Sequence, residues 1–255
     1  MPDKLCKLHK EESGVAVLTI SGSSAVTSRL LLETLQRQID GFAANGSIKG
    51  IILTGTRDGF CRCSTGVAFA PCEASALAGF GQQVMFSLEK SGKPCIAVIS
   101  GACTGLGFEL ALACDFIVAS DSARFGFPDI AHGNIPFCGG SQRLARLTGK
   151  SKAKELIYSG ELINAGEALR VGLINRLYAD DALLPKALEL MAHICTRSPN
   201  AIRIGGEVIN AGYDIDLQTA CMLERDAFAL CFSSFDQREG MQSFLDKRQP
   251  QFKGE

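Results

Sequence analysis

PCIAVISGACTGLGFELALACD, residues 94–115, decides how this chain is read. The apolar run from Cys95 to Ile99 reads as a buried β-strand. A turn punctuated by Gly101, Gly105 and Gly107 follows, and then Phe108–Cys114, a good helix-forming segment. Strand, glycine turn and helix together aim backbone N–H groups at a ligand. The first N–H groups of a helix have no internal partner, and the helix dipole adds partial positive charge there. Glu109 is the one charged residue of this apolar helix, about one turn from its positive end. Two readings follow from the window alone. One is an oxyanion-binding helix start with a carboxylate beside it. The other is a dinucleotide-type glycine turn, or a βα packing turn whose Glu only caps the helix.

Four blocks widen the pattern: IAVISGACTGLGFELALACDFIVAS (96–120), FGFPDIAHGNIPFCGGSQRL (125–144), INAGEALRVGLINRL (163–177) and REGMQSFLDKRQPQF (238–252). In order and spacing they resemble the enoyl-CoA hydratase/isomerase (crotonase) superfamily. The resemblance implies an α/β fold: a crotonase-like ββα spiral core, residues 1–198, and an all-helical C-terminal trimerisation region, residues 199–255. It is less specific for the reaction, because one scaffold hosts hydration, isomerisation, hydrolysis and decarboxylation.

The totals set outer bounds. With 255 residues and 46% apolar content the chain can bury a substantial core. A formal net charge of -1 with no long basic run argues against nucleic acid as a partner. No stretch has the length of uninterrupted apolar sequence that a membrane span needs. MPDKLCKLHKEESG at the start lacks a signal-peptide core, so a soluble cytoplasmic protein is expected. The 11 cysteines are odd in number and are read as reduced thiols, with Cys95, Cys114, Cys195 and Cys231 as small core residues. No metal is assigned: Cys61-Arg62-Cys63 lacks the spacing of common zinc sites, and His9, His132 and His193 lie far apart.

Along the chain, Gly14–Ile20 reads as a first strand. Thr27 or Ser28 caps a helix with Leu31, Leu35 and Ile39 on its apolar stripe, and Gly46 stops it. Gly50–Thr54 is the next strand, and Leu77, Phe80, Val84 and Leu88 mark another helix. Phe116–Ser120 returns as a strand, Ala123–Gly126 is extended, and FPDIAHGNIPFCGG forms a long loop before a helix that opens on a double glycine. Helices are also expected at Lys150–Ser159 and Leu183–Thr196. Beyond Pro199 only helices are expected, interrupted at Gly205-Gly206, Gly212 and Ser233-Ser234.

Glu109 and Asp129 are the candidate catalytic pair, twenty residues apart (129 − 109), as are the two catalytic glutamates of typical hydratases. Hydrating a conjugated thioester requires a water deprotonated at one carbon and a proton delivered to its neighbour, work that two carboxylates can divide. Asp129 is one methylene shorter than the usual Glu, a deficit of about 1.5 Å. Either the backbone comes closer or the reaction differs. The resemblance places the two oxyanion-hole N–H groups at Ser64 and Leu106. Phe60-Cys61-Arg62-Cys63-Ser64-Thr65 stands where relatives carry F-x-A-G-A-D, so Cys63 replaces a glycine and Thr65 an acidic residue. For coenzyme A it points to Arg62, Thr65, Phe244 and Lys247, the last two reaching a neighbouring subunit's nucleotide. The early R-P-x-x-x-N-A loop of relatives is shortened here to Ser21–Val26. No cofactor is expected beyond the coenzyme A of the substrate, and the implied partners are an acyl-CoA thioester and further copies of the chain, in a trimer or dimer of trimers. His132 is weighed as a titrating loop residue, and Cys63 and Cys138 as thiols without a paired histidine. The reading is 2-enoyl-CoA hydration or its reverse. Double-bond isomerisation, decarboxylation or hydrolysis on the same fold, and a non-catalytic acyl-CoA-binding scaffold, are the alternatives.

Overall fold

A computed structural model of the chain describes residues 5–21, 27–56, 59–61 and 70–255. Six strands form the main sheet in the order β1-β2-β3-β4-β6-β9: β1 Cys6–Lys10, β2 Val15–Ile20, β3 Gly50–Thr54, β4 Cys95–Ile99, β6 Phe116–Ser120 and β9 Arg176–Tyr178. β1 runs antiparallel to β2, and every other neighbouring pair is parallel. A second sheet, β5-β7-β8, is built from Ala102–Thr104, Arg124–Gly126 and Ile163–Asn164.

Alternation along the central strands explains why they are apolar throughout. Val15, Val17, Ile52, Ile96, Val98 and Val118 face helix α7 (Leu183–Cys195) and pack on its Leu183, Ala187, Met191 and Cys195. Their neighbours Ala16, Leu18, Ile51, Leu53, Ala97, Ile99 and Ala119 point the other way, into the larger core that holds α1 (Ser28–Ala44), α2 (Pro71–Glu89) and α3 (Leu106–Leu112). A parallel sheet covered on both faces needs apolar residues at both parities. β4 leads through β5 into α3, and β6 leads through β7 into the Pro128–His132 turn, so consecutive strand pairs deliver their following segments to one end of the sheet.

Four expectations need correction. Cys6–Lys10 is a strand that the sequence did not announce: as an edge strand it exposes Lys7–Lys10, and its charges hide the pattern. Ala102–Thr104 is a strand inside the glycine turn, and α3 accordingly starts at Leu106, two residues earlier than expected. Gly205-Gly206 does not interrupt a helix: α8 runs unbroken from Pro199 to Gly212. Cys231 is half-buried, not a core residue. The rest of the expected elements stand, including Thr27 as the cap of α1, with its Oγ1 accepting from Leu30 N at 3.4 Å. The α1 helix ends at Ala44, just ahead of Gly46. No disulfide joins the described cysteines.

After α7 the chain is helical: α8, α9 (Leu217–Cys231) and α10 (Phe235–Leu245), each capped by a side-chain oxygen, from Ser198, Asp216 and Ser234. Buried Asp236 accepts from Ser198 Oγ at 2.7 Å and from Lys253 N at 2.7 Å, which ties the C-terminal tail to the start of α8. Among the described residues no helix is long and apolar enough to cross a membrane.

Candidate active site

Helix α3 carries the site. Its first turn enters from Gly105, whose φ of 54° is a conformation that favours glycine. A Cβ built there would stand 2.9 Å from Asp129 Oδ2, so a side chain at 105 would push that carboxylate aside. The same fact locates Asp129. It sits on a single 3₁₀ turn, Pro128–His132, with its carboxylate against the start of α3. That turn is held by packed aromatic rings: Phe127 stacks on Phe108 of α3 with centroids 4.8 Å apart, and Phe125 of β7 lies tilted against the same ring at 5.6 Å. All three rings are fully buried and each contributes on the order of 2 kcal/mol of apolar burial. The turn brings the Asp129 side chain up to the start of α3.

Glu109 is four residues on, and its N–H closes the first turn onto Gly105 O at 3.0 Å. Its side chain is 1% exposed. Oε1 accepts from Cys138 N at 2.7 Å and from Gly140 N at 2.8 Å. Gly140, the first residue of α4 (Gly140–Thr148), approaches so closely that a Cβ on it would lie 2.7 Å from Glu109 Cγ and 2.8 Å from the Phe127 ring. Burial pushes the Glu109 carboxyl up to about 7. The N–H groups of Gly140, Cys138 and Phe137 and the positive charge of Arg143 pull the other way without cancelling it.

Leu106 is the first residue of α3, and its N–H lies where no intrahelical acceptor exists. Its side chain is buried. Ser64, Arg62, Thr65 and Cys63 lie outside the described residues, and so does most of the shortened Ser21–Val26 loop. The segment leading to them is fixed close by: Phe60 N donates to Ala102 O at 2.8 Å, and Phe60 bridges to Cys103 just ahead of α3. Phe244 and Lys247 are exposed at the end of α10. His132 is exposed on its turn, whereas Cys138 is fully buried and enters the site through its backbone N–H.

The structure therefore brings Leu106, Glu109 and Asp129 to the first turn of one short helix. Sequence reasoning missed the donors that grip Glu109. The double glycine at 139–140 was their only signal, since a backbone N–H leaves no other mark. It also passed over Arg143, which looks from sequence like a solvated helix cation.

Comparisons with known proteins bear on the family to which the chain belongs. The family model described as "Enoyl-CoA hydratase/isomerase" matches residues 10–255. A crotonyl-CoA hydratase of Syntrophomonas wolfei is 37% identical over 252 residues, covering 96% of each chain. A short-chain-enoyl-CoA hydratase of Clostridium acetobutylicum is 35% identical over 246 residues, covering 94% of each. The crystal structure of an enoyl-CoA hydratase from Bacillus anthracis superimposes with a TM-score of 0.92 at 32% identity, covering 98% of this chain and 100% of that one.

Proposed function

The chain belongs to the enoyl-CoA hydratase/isomerase family, and from that premise we propose that it adds water across the double bond of a 2-enoyl-CoA thioester. The observation that carries this reading is the pairing of a buried, doubly hydrogen-bonded Glu109 with Asp129 at the first turn of α3. A carboxylate whose pKa burial raises to about 7 is a stronger base than an ordinary carboxylate, and its affinity for a proton matches neutral working pH. Glu109 takes a proton from the attacking water as the water oxygen bonds to the β-carbon. The Cys138 and Gly140 N–H groups both hold Oε1, which fixes the direction of the carboxylate. Asp129 gives a proton to the α-carbon, and the proton held by Glu109 passes to Asp129 before the next turnover, so the substrate gains one H and one OH and both carboxylates return to their starting states.

Charge accumulates on the thioester oxygen as the new bond forms. The Leu106 N–H, at the positive end of α3, and the Ser64 N–H are the donors assigned to it. Neither role depends on a side chain, so Cys63 and Thr65 in the preceding loop are compatible with it. Coenzyme A enters with the substrate, with Arg62, Thr65, Phe244 and Lys247 as its contacts. The kcat/KM profile is expected to rise with pH and level off above about 7, because Glu109 must be ionised to accept the proton. A profile that instead falls through that range would exchange the roles of the two carboxylates.

The test of hydration is a spectrophotometric screen against short, medium and long 2-enoyl- and 3-enoyl-CoAs. Loss of the conjugated thioester chromophore with 2-enoyl substrates supports the proposal. Its appearance from 3-enoyl substrates alone would mark an isomerase. Asp129→Asn is expected to lower kcat by about 100- to 10,000-fold with little change in KM, since it removes a proton-transfer group and no binding contact. Asp129→Glu should bring no gain and a loss of about tenfold, because the carboxylate already meets α3 and an added methylene displaces it. A rate above wild type in Asp129→Glu would show that the shorter arm limits the reaction.

We assign the C-terminal helices to self-association, in a trimer or dimer of trimers. In support, α9 buries none of its own residues within this chain, and Leu217 and Phe228 are 78% and 64% exposed. Light scattering at micromolar concentration should give three or six times the chain mass. A stable monomer would refute the assignment and remove the inter-subunit role given to Phe244 and Lys247.

A further inference from the structure

We propose that Arg143 is a positioning residue for Glu109, acting through the loop that hydrogen-bonds the carboxylate. Arg143 lies in the first turn of α4, with its side chain only 15% exposed. Its Nη1 donates to Cys138 O at 3.0 Å, and its Nε donates to Glu89 Oε1 on α2 at 2.7 Å. The guanidinium also stands 5.4 Å from the centre of the Phe86 ring, one turn earlier on α2. Cys138 is therefore held at both ends: its carbonyl by Arg143 and its N–H by Glu109 Oε1. The neighbouring peptide unit is held the same way, because Gln82 Nε2 of α2 donates to Phe137 O at 3.1 Å. Phe137 O and Cys138 N belong to one peptide, so a donor on the oxygen strengthens the N–H bond to Glu109.

A planar fork that engages a carboxylate and a carbonyl at once is a task for arginine and not for lysine. Without it, the segment 137–140 loses its tie to α2, and with it the fixed direction of the two N–H groups that aim Glu109. The charged groups around Glu109 are Arg143 from α4, Glu89 from α2 behind it, and Asp129 across the start of α3. Arg143 attracts the ionised form of Glu109, and Glu89 partly offsets that attraction.

The inference rests on the hydratase reading, and three variants test it by kinetics and by pH. Arg143→Gln should lower kcat by about ten- to a hundredfold with KM within about threefold, the effect of a misaimed base. It should also move the ionisation in the kcat/KM profile upward by about half a unit or more, since a positive charge and the loop's hold on Glu109 are both lost. Arg143→Lys keeps the charge and should restore the ionisation but only part of kcat. Glu89→Gln leaves Arg143 charged and unopposed, so the ionisation should move downward. Where Arg143→Gln does not fold, the opposite behaviour of Arg143→Lys and Glu89→Gln still decides. Wild-type kcat and pH profiles in those two, or in Arg143→Gln, would overturn the inference. The pH dependence of the melting temperature follows the Glu109 ionisation without any turnover. If wild type proves not to hydrate 2-enoyl-CoA, the hydratase reading fails, while the melting curves still report whether Arg143 sets Glu109.

Discussion

Glu109→Gln is expected to lose about 1,000-fold or more in kcat, within the range that positioned acid–base groups contribute, with KM nearly unchanged. The same substitution should make the protein more stable at alkaline pH. In the folded chain the Glu109 carboxyl is raised from 4.5 to about 7 by burial. Between those values the folded state binds a proton that the unfolded state has released, so stability falls as pH rises. Above about 7 the fold carries a buried carboxylate at a cost on the order of 3 kcal/mol. Gln has nearly the same shape, its oxygen can still accept from Cys138 and Gly140, and it carries no charge. The melting temperature of Glu109→Gln should exceed that of wild type at about pH 8, and the gap should shrink as the pH falls towards about 5. A variant that is both inactive and less stable at every pH would mean that Glu109 is a structural carboxylate held by its N–H bonds. Activity bought at the expense of stability is the expected signature of a strained catalytic group.

Leu106→Pro is expected to lower kcat by about 100- to 1,000-fold, the usual effect of removing one oxyanion donor. Position 106 is the first of α3, where proline is tolerated because its missing N–H has no intrahelical role. Leu106→Ala is the matched control. It removes the same buried side chain, at a cost of about 2 to 5 kcal/mol in stability, but keeps the N–H. Its kcat should stay within about tenfold of wild type. Equal losses in the two variants would transfer the effect from the backbone donor to the leucine side chain and its packing.

Central strands and amphipathic helices were legible in the sequence because their signal is local. Cys95–Ile99 and Gly50–Thr54 have the expected bounds, and the stripe Leu31, Leu35, Ile39 is buried as its spacing requires. Edge strand β1 was not legible, since only Cys6 of its five residues is buried. Gly205-Gly206 misled because two poor helix formers in a row add only a local cost, and α8, capped by Ser198, runs on through them. In the site, Glu109 and Asp129 stand out by residue type and by resemblance. Their environment does not, because the bonds to Glu109 come from backbone atoms of residues 138 and 140, and the ion pair behind them joins Glu89 to Arg143 across 54 positions. Distances of that kind are set by the fold and leave only glycines as traces, here Gly105 and Gly140.

The most direct measurement is the mass of the product. Wild-type protein incubated with a short 2-enoyl-CoA should yield a thioester heavier by one water, and run in isotopically labelled water the added oxygen should carry the label. Glu109→Gln and Asp129→Asn, assayed in parallel, should leave the substrate mass unchanged over the same interval. A product of unchanged mass formed from a 3-enoyl-CoA, or a thioester that binds to wild type and is recovered intact, would contradict hydration by this carboxylate pair.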